Sequence, residues 1–301
     1  MVYGHEAVGQ EVRSFYECHP FPAFDEQRFA TRDDLATAAR WFPRRLDRDL
    51  PTGIRLADVG CGTGRLAALL SLRDRSVTAV DFSSASLEHA RRLKRALALD
   101  RVSYVRGDLF RLPLKHGRFD VVLCLGVLHH TADPRGGLEA LARLLRPGGL
   151  LLVGLYNRYG RLAHRLRQWR VRGKGLPGDR AVLERRLLGQ LPGQAQRMDD
   201  AGLDSWYHDQ YLHPHERTVS LAELGRWISG AGLEPLGGFP EQRLLAGGQR
   251  PEPWQREPAP PPGGLRGLAV QAKWVLTLRG AGGYFVQAAR LPQGNGTGDG
   301  R

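Results

Sequence analysis

Cysteine is scarce in this chain. Its three residues, Cys18, Cys61 and Cys124, are spread over 301 positions, too few and too scattered for a disulfide framework or a zinc site. No metal site is expected, and Cys61 and Cys124 suit small apolar spaces. No apolar run approaches the roughly 20 residues that span a bilayer. The opening Met1-Val2-Tyr3-Gly4-His5-Glu6 has neither the basic nor the apolar stretch of a secretory signal, so a cytoplasmic protein with no transmembrane segment is the expectation. Internal repeats are missing, and acidic residues are in deficit, 31 against 44 Lys and Arg for a net charge of +13. That excess is local. Residues 156–190 hold ten basic and two acidic side chains, +8 of the total, and almost all the basic residues are arginine. The charge invites a nucleic-acid reading, tempered by its location, since the rest of the chain is only mildly basic.

What is present centres on Leu56-Ala57-Asp58-Val59-Gly60-Cys61-Gly62-Thr63-Gly64. Ile54, Leu56, Ala57 and Val59 suit a buried strand, three glycines suit a turn that brings a ligand close to bare backbone, and residues 65–72 restore helical spacing. Strand, tight turn and helix form a nucleotide-binding crevice. A dinucleotide site calls for Gly-x-Gly-x-x-Gly; here the spacing is Gly-x-Gly-x-Gly, with an acidic residue two positions before the first glycine. Asp81 closes a second strand at 77–80, where a carboxylate can accept both hydroxyls of a ribose. A third strand, 102–105, leads to Gly107-Asp108-Leu109. The fourth, 119–125, leads to Gly126-Val127-Leu128-His129-His130, and Arg146-Pro147-Gly148-Gly149 turns into a fifth at 150–153.

These five features, in this order over residues 50–155, resemble the S-adenosylmethionine (SAM) domain of class I methyltransferases. The resemblance implies an α/β fold, a doubly wound, mostly parallel seven-stranded sheet, with an N-terminal helical cap and an insertion after the fifth strand. It implies SAM as cofactor, held by Asp58, Gly60, Cys61, Gly62, Gly64, Asp81, Phe82, Asp108, Leu109 and Leu125, with Asp108 and Phe82 beside the adenine. A domain of the same class holding another nucleotide is the bland alternative.

Five segments follow: a cap at 1–49, the SAM core at 50–157, an insertion at 158–217, the rest of the core at 218–290 and a disordered tail at 291–301. In the cap, Val12, Phe15 and Tyr16 share one face of a helix over 6–17. A proline-stiffened aromatic stretch, residues 18–25, follows, then a second helix over 31–42 with Thr31 as its N-cap. By resemblance the cap closes over the cofactor, placing Tyr16, His19 and Phe21 near the sulfonium, a cation that aromatic faces tolerate. Packing of the cap onto the domain is the alternative role of each ring. Beyond the insertion, Ser220-Leu221-Ala222-Glu223 reads as a capping box, 233–239 as the sixth strand, 246–264 as a Gly/Pro-rich surface loop, 265–278 as a helix and 284–289 as the seventh, antiparallel strand.

Imidazole is the usual general base at neutral pH. His129 is the preferred candidate, with His208 and His213 as rivals, although methyl transfer from a sulfonium needs a base only when the acceptor must lose a proton. In the insertion, residues 161–172 set Leu162, Leu166 and Trp169 on one helical face and Arg161, Arg165 and Arg172 largely elsewhere. Such a basic amphipathic helix lies on an anionic membrane, docks on RNA phosphates or roofs the pocket. Residues 206–216 concentrate aromatics and imidazoles. A metal site of His208, Asp209, His213, His215 and Glu216 is disfavoured by Pro214 and by the spacing, and a substrate wall is preferred. Tyr16, Phe21, Tyr156, Tyr207 and Tyr211 are the candidate acceptor contacts.

The leading expectation is a SAM-dependent methyltransferase of a small-molecule acceptor, at O or N. The alternatives are an RNA methyltransferase gripping tRNA through the basic insertion, peripheral membrane contact through residues 161–172 toward a lipid acceptor, and a domain that binds SAM without transferring methyl, as regulator or assembly partner. Two RNA chemistries lack their motifs: no Asn/Asp-Pro-Pro-aromatic run follows the fourth strand, and Cys124 lacks the proline context of a cytosine-attacking thiol.

Overall fold

The computed structural model describes residues 2–24, 28–173, 200–244, 252–277 and 283–293. Much of the insertion, the first part of the expected 246–264 loop and the tail from residue 294 lie outside the described residues, as does the side chain of Arg172. Seven strands form one sheet: β1 (Ile54–Val59), β2 (Arg75–Asp81), β3 (Val102–Arg106), β4 (Phe119–Leu125), β5 (Leu145–Tyr156), β6 (Glu234–Phe239) and β7 (Tyr284–Arg290). Their order is β3-β2-β1-β4-β5-β7-β6. The first five run parallel, and β7 is antiparallel to both β5 and β6. Because the order reverses between β1 and β4, a crevice opens at the carboxyl ends of those two strands.

Strand alternation sends neighbouring residues to opposite faces. Val122 and Cys124 of β4, with Leu151 and Val153 of β5, enter one apolar core. Val121, Leu123 and Leu152 enter the other. A sheet apolar on both faces needs helices on both, and they come from α1 (Val2–Cys18), α2 (Arg32–Ala38), α3 (Trp41–Asp49), α4 (Arg65–Ser71), α5 (Ser84–Ala96), α6 (Pro134–Ala142), α7 (Leu162–Gly173), α8 (Asp200–Tyr207), α9 (Leu221–Gly230) and α10 (Gly264–Thr277). Side-chain caps start several of them: Thr31 for α2, in a full capping box with Asp34, Ser83 for α5, and Asp133, followed by Pro134, for α6. Ser220 accepts from the Glu223 amide as expected, but the Glu223 carboxylate takes up Arg158 and Arg217.

Two expectations need correction. The single helix over 31–42 is two helices, broken where Ala39 and Arg40 are extended. Pro43 has no N–H to offer the Ala39 carbonyl, so the break leaves it in the first turn of α3, where no donor is needed. The surface loop at 246–264 is anchored where it is described: Trp254 is buried, 5.9 Å from the Phe239 ring, and Glu252 pairs with Arg45. An indole that size stays in contact with apolar neighbours wherever the chain allows it.

The cap is fixed to the core by charge. Arg75, at the start of β2, is fully buried and donates to the Asp47 carboxylate at 2.7 Å and to the carbonyls of Asp47, Leu50, Pro51 and Leu70. The Glu17 carboxylate of α1 accepts from the Ser84 and Ala85 amides, at 2.8 and 3.0 Å, at the positive end of α5. Burial works against that charge, yet the two amides, Arg106 and Arg13 outweigh it and hold the Glu17 pKa below its ordinary value. Among the described residues no helix is long and apolar enough to cross a membrane.

Candidate functional site

One cavity of about 2190 Å³ occupies the crevice and the carboxyl ends of β4, β5 and β6. Its volume exceeds the roughly 300–1,000 Å³ of a pocket for one small molecule. At one end lie Asp58, Gly60, Cys61, Gly62, Asp81, Phe82, Asp108, Leu109 and Leu125. Gly64 does not reach it; a side chain there would meet Ala90 and Tyr104, so the third glycine serves packing between the turn and the α5 and β3 layer.

The turn's amides are all engaged within the chain. Gly60 and Cys61 donate to the Val80 carbonyl, Gly62 to Asp81 Oδ2 at 2.8 Å, Thr63 to the Phe21 carbonyl and Gly64 to the Cys61 carbonyl. The turn therefore brings bare backbone to the cavity while each of its amides already has a partner in the chain. What this end offers is shape and carboxylate. Asp81 also accepts from the Ser83 amide at 2.9 Å, and its two oxygens retain free acceptor sites toward the cavity. Asp58 is buried beneath the turn, and its Oδ2 has no hydrogen-bond partner among the described residues. Burial above all, with Asp81 nearby, pushes its pKa up to about 7.

SAM fits such an end. It is a cation without phosphates, so it needs few amide donors, and its ammonium suits a buried carboxylate that otherwise pays a desolvation penalty. At the expected adenine edge, Arg13 of α1 stands 5.6 Å from the Phe82 ring centroid and 3.8 Å from the Asp108 carboxylate. Arg13 had no local signal, since its partners are distant in the chain. Over the turn, the Phe21 carbonyl takes the Thr63 amide and the Thr63 hydroxyl donates to the Pro22 carbonyl.

The other end is aromatic and acidic. Tyr156 closes β5, and the Asn157 side chain accepts from the Tyr159 and Gly160 amides, turning the chain so that Arg161 folds back. Arg161 is only 5% exposed. It clamps Glu216, with Nη2 2.5 Å from Oε2, donates to Gln210 at 2.7 Å and lies 3.7 Å over the Tyr156 ring. A single π-helical turn, His208–Leu212, then presents Asp209, which accepts from Tyr16 Oη at 2.9 Å and Gln210 Nε2 at 2.8 Å, with Tyr156 Oη at 3.5 Å. Burial, then the Asp209 charge, raises the pKa of both tyrosines.

The histidines separate. His129 is sealed 3.9 Å from the Tyr156 ring, has no hydrogen-bond partner at either nitrogen among the described residues, and does not line the cavity. Burial first, then His130 and Arg161, takes its pKa well below the ordinary value, so it stays neutral. His208 stacks on His19 at 4.0 Å away from the cavity, and His213 lies tilted against His130 with ring centroids 3.6 Å apart. His130 is the imidazole of this group that faces the chamber. Of the expected acceptor contacts, Tyr16, Phe21, Tyr156 and Tyr211 line the cavity and Tyr207 does not. Among the described residues no group of three or more His, Cys, Asp or Glu is arranged to hold a metal ion.

The amphipathic reading of residues 161–172 is corrected at one residue: Arg161 is inside, whereas Arg165 is exposed and Leu162, Leu166 and Trp169 are 56%, 50% and 70% exposed. A buried guanidinium bound to Glu216 and lying over an aromatic ring has no room for a phosphate.

Residues 57–153 match the model of a family described as a methyltransferase domain. The chain is 32% identical over 254 residues to an uncharacterised protein of Synechococcus sp., covering 77% of this chain and 60% of that protein. It is 38% identical over 108 residues to a ubiquinone biosynthesis O-methyltransferase of Marinobacter nauticus, covering 35% and 45%. In both cases it spans less than two thirds of the relative's length. With a trans-aconitate 2-methyltransferase of Azoarcus sp. it shares 30% identity over 229 residues, 71% of this chain and 81% of that enzyme. Sheet order, glycine turn and these matches together make the chain a member of the class I S-adenosylmethionine-dependent methyltransferases.

Proposed function

We propose that the chain transfers a methyl group from SAM to an oxygen or nitrogen of a small-molecule acceptor. The observation that carries this reading is continuity: one cavity joins the two carboxylates at the switch point, Asp58 and Asp81, to a chamber walled by Tyr156, Phe239 and Tyr284. The relatives named for ubiquinone biosynthesis and for trans-aconitate support an acceptor of that size.

When bound, SAM supplies a methyl carbon made electrophilic by the adjoining sulfonium. Asp81 holds the ribose, Asp58 offsets the positive charge, and Tyr16 and Phe21 keep water from the reacting centre. In-line displacement depends on alignment, so a walled chamber that fixes the acceptor contributes much of the acceleration. The buried Arg161 argues against phosphate recognition by that residue.

The test incubates the full chain with methyl-labelled SAM and either fractionated small metabolites or tRNA. Label in a low-mass product is expected. Label in tRNA alone overturns the small-molecule reading, and calorimetric SAM binding without transfer to any fraction favours a binding-only domain.

A further inference from the structure

The protonation pattern of His130 is set by the fold. Its Nδ1 lies 2.8 Å from the carbonyl oxygen of His215. A carbonyl only accepts, so Nδ1 carries the hydrogen and Nε2 keeps its lone pair. Nε2 stands 4.0 Å from Asp209 Oδ1, outside hydrogen-bond reach but close enough for the carboxylate to stabilise a positive imidazole. Both side chains line the chamber beside Tyr156, and Tyr16 and Gln210 hold the carboxylate in place.

We propose that His130 and Asp209 form a proton-accepting pair, His130 as catalytic base through Nε2 and Asp209 as the positioning residue that stabilises its imidazolium, and that the acceptor is a phenolic or enolic hydroxyl. This rests on the methyl-transfer reading above. In the step, the hydroxyl proton passes to Nε2 while an oxygen electron pair forms the new O–C bond to the methyl. The C–S bond breaks with its pair remaining on sulfur, and the imidazolium later returns its proton to solvent. A neutral amine attacks with its own lone pair before losing a proton, so it gains little from such a pair.

The groups facing His130 come from every element around it: Tyr16 of α1, His129 of its own turn, Tyr156 of β5, Arg161, Asp209, His213 and Glu216. Burial is the largest influence and lowers the pKa; Asp209, the His215 carbonyl and Glu216 raise it, Arg161 lowers it, and the net direction is down. His130 is therefore neutral and ready to accept at pH 7.

Two measurements test the pair. In the full chain with ¹⁵N-labelled histidine and S-adenosylhomocysteine, NMR is expected to show His130 as the Nδ1–H tautomer, titrating below the ordinary histidine value of about 6.5, with a still lower midpoint in Asp209→Asn. The opposite tautomer, or an unmoved midpoint in that variant, overturns the pair, and the tautomer reading needs no variant to fold. In the second, methyl-labelled SAM is offered with simple phenols and the matching anilines. Phenols are expected to take the label, His130→Asn to lower kcat by about 100-fold or more with SAM affinity unchanged, and Asp209→Glu to recover part of what Asp209→Asn loses. Anilines labelled as well as phenols overturn the hydroxyl assignment alone; SAM bound with neither class labelled overturns the methyl-transfer reading too.

Discussion

The carbonyl oxygen of Phe21 rests against Gly62: it accepts the neighbouring Thr63 amide at 3.2 Å and fills the space a side chain on that glycine would enter. The cap thus closes directly onto the turn. Gly62 has φ +53, so it meets both a close approach and a left-handed backbone.

Replacing Gly62 with Ala is expected to push the 19–24 segment off the turn and to destabilise the fold by about 1–2 kcal/mol. Hydrogen exchange at Thr63 should accelerate, and SAM affinity should fall at least tenfold by calorimetry. Unchanged exchange at that amide would show the contact to be dispensable.

Asp81→Ala removes the acceptor expected for the ribose hydroxyls. Charge-assisted hydrogen bonds contribute about 1.5–3 kcal/mol, so SAM affinity should drop by more than tenfold. Equal affinities for variant and parent would remove Asp81 from the binding site.

Asp58 predicts a pH dependence. Its pKa is held up to about 7 in the free protein, mainly by burial, and a cation binds the ionised carboxylate better than the acid. SAM affinity should therefore rise with pH up to about 7 and level off above it, falling by as much as about tenfold per unit on the acid side. Asp58→Asn should bind more weakly with no such slope, as isothermal titration between pH 5.5 and 8.5 would reveal.

Arg75→Ala takes the donor from Asp47 Oδ1 and from four carbonyls, leaving Arg73 on Asp47 Oδ2. Loss of one partner of a buried pair costs about 3–5 kcal/mol, and the lower end is expected because Asp47 is partly exposed. Urea unfolding gives the value. A change within 0.5 kcal/mol would mean that the cap is held by its apolar contacts.

The sheet and the glycine turn were legible because their signals are local. The apolar residues from Ile54 to Val59, three glycines and an acid at the next strand end all lie within about thirty residues. What escaped depends on partners far along the chain. Nothing near Arg161 announces Glu216, so spacing alone sets it among solvent-facing arginines. Arg75 and Arg13 are hidden for the same reason, with Asp47 and Phe82 as their companions. His129 and His130 are adjacent in sequence, and only the single 3-10 turn Leu128–His130 decides which ring turns to the chamber. Asp209 was visible only as one of several possible metal ligands, because Tyr16 is 193 residues away.

Asp209 comes from the inserted stretch, His130 and Tyr156 from the core, at the turn after β4 and the end of β5, and Tyr16 from the leading helix, so the chamber is assembled from three lengths of chain, whereas Asp58 and Asp81 belong to the sheet alone. Transplanting a different insertion would recast the reactive half of the molecule and leave the two sheet carboxylates where they are.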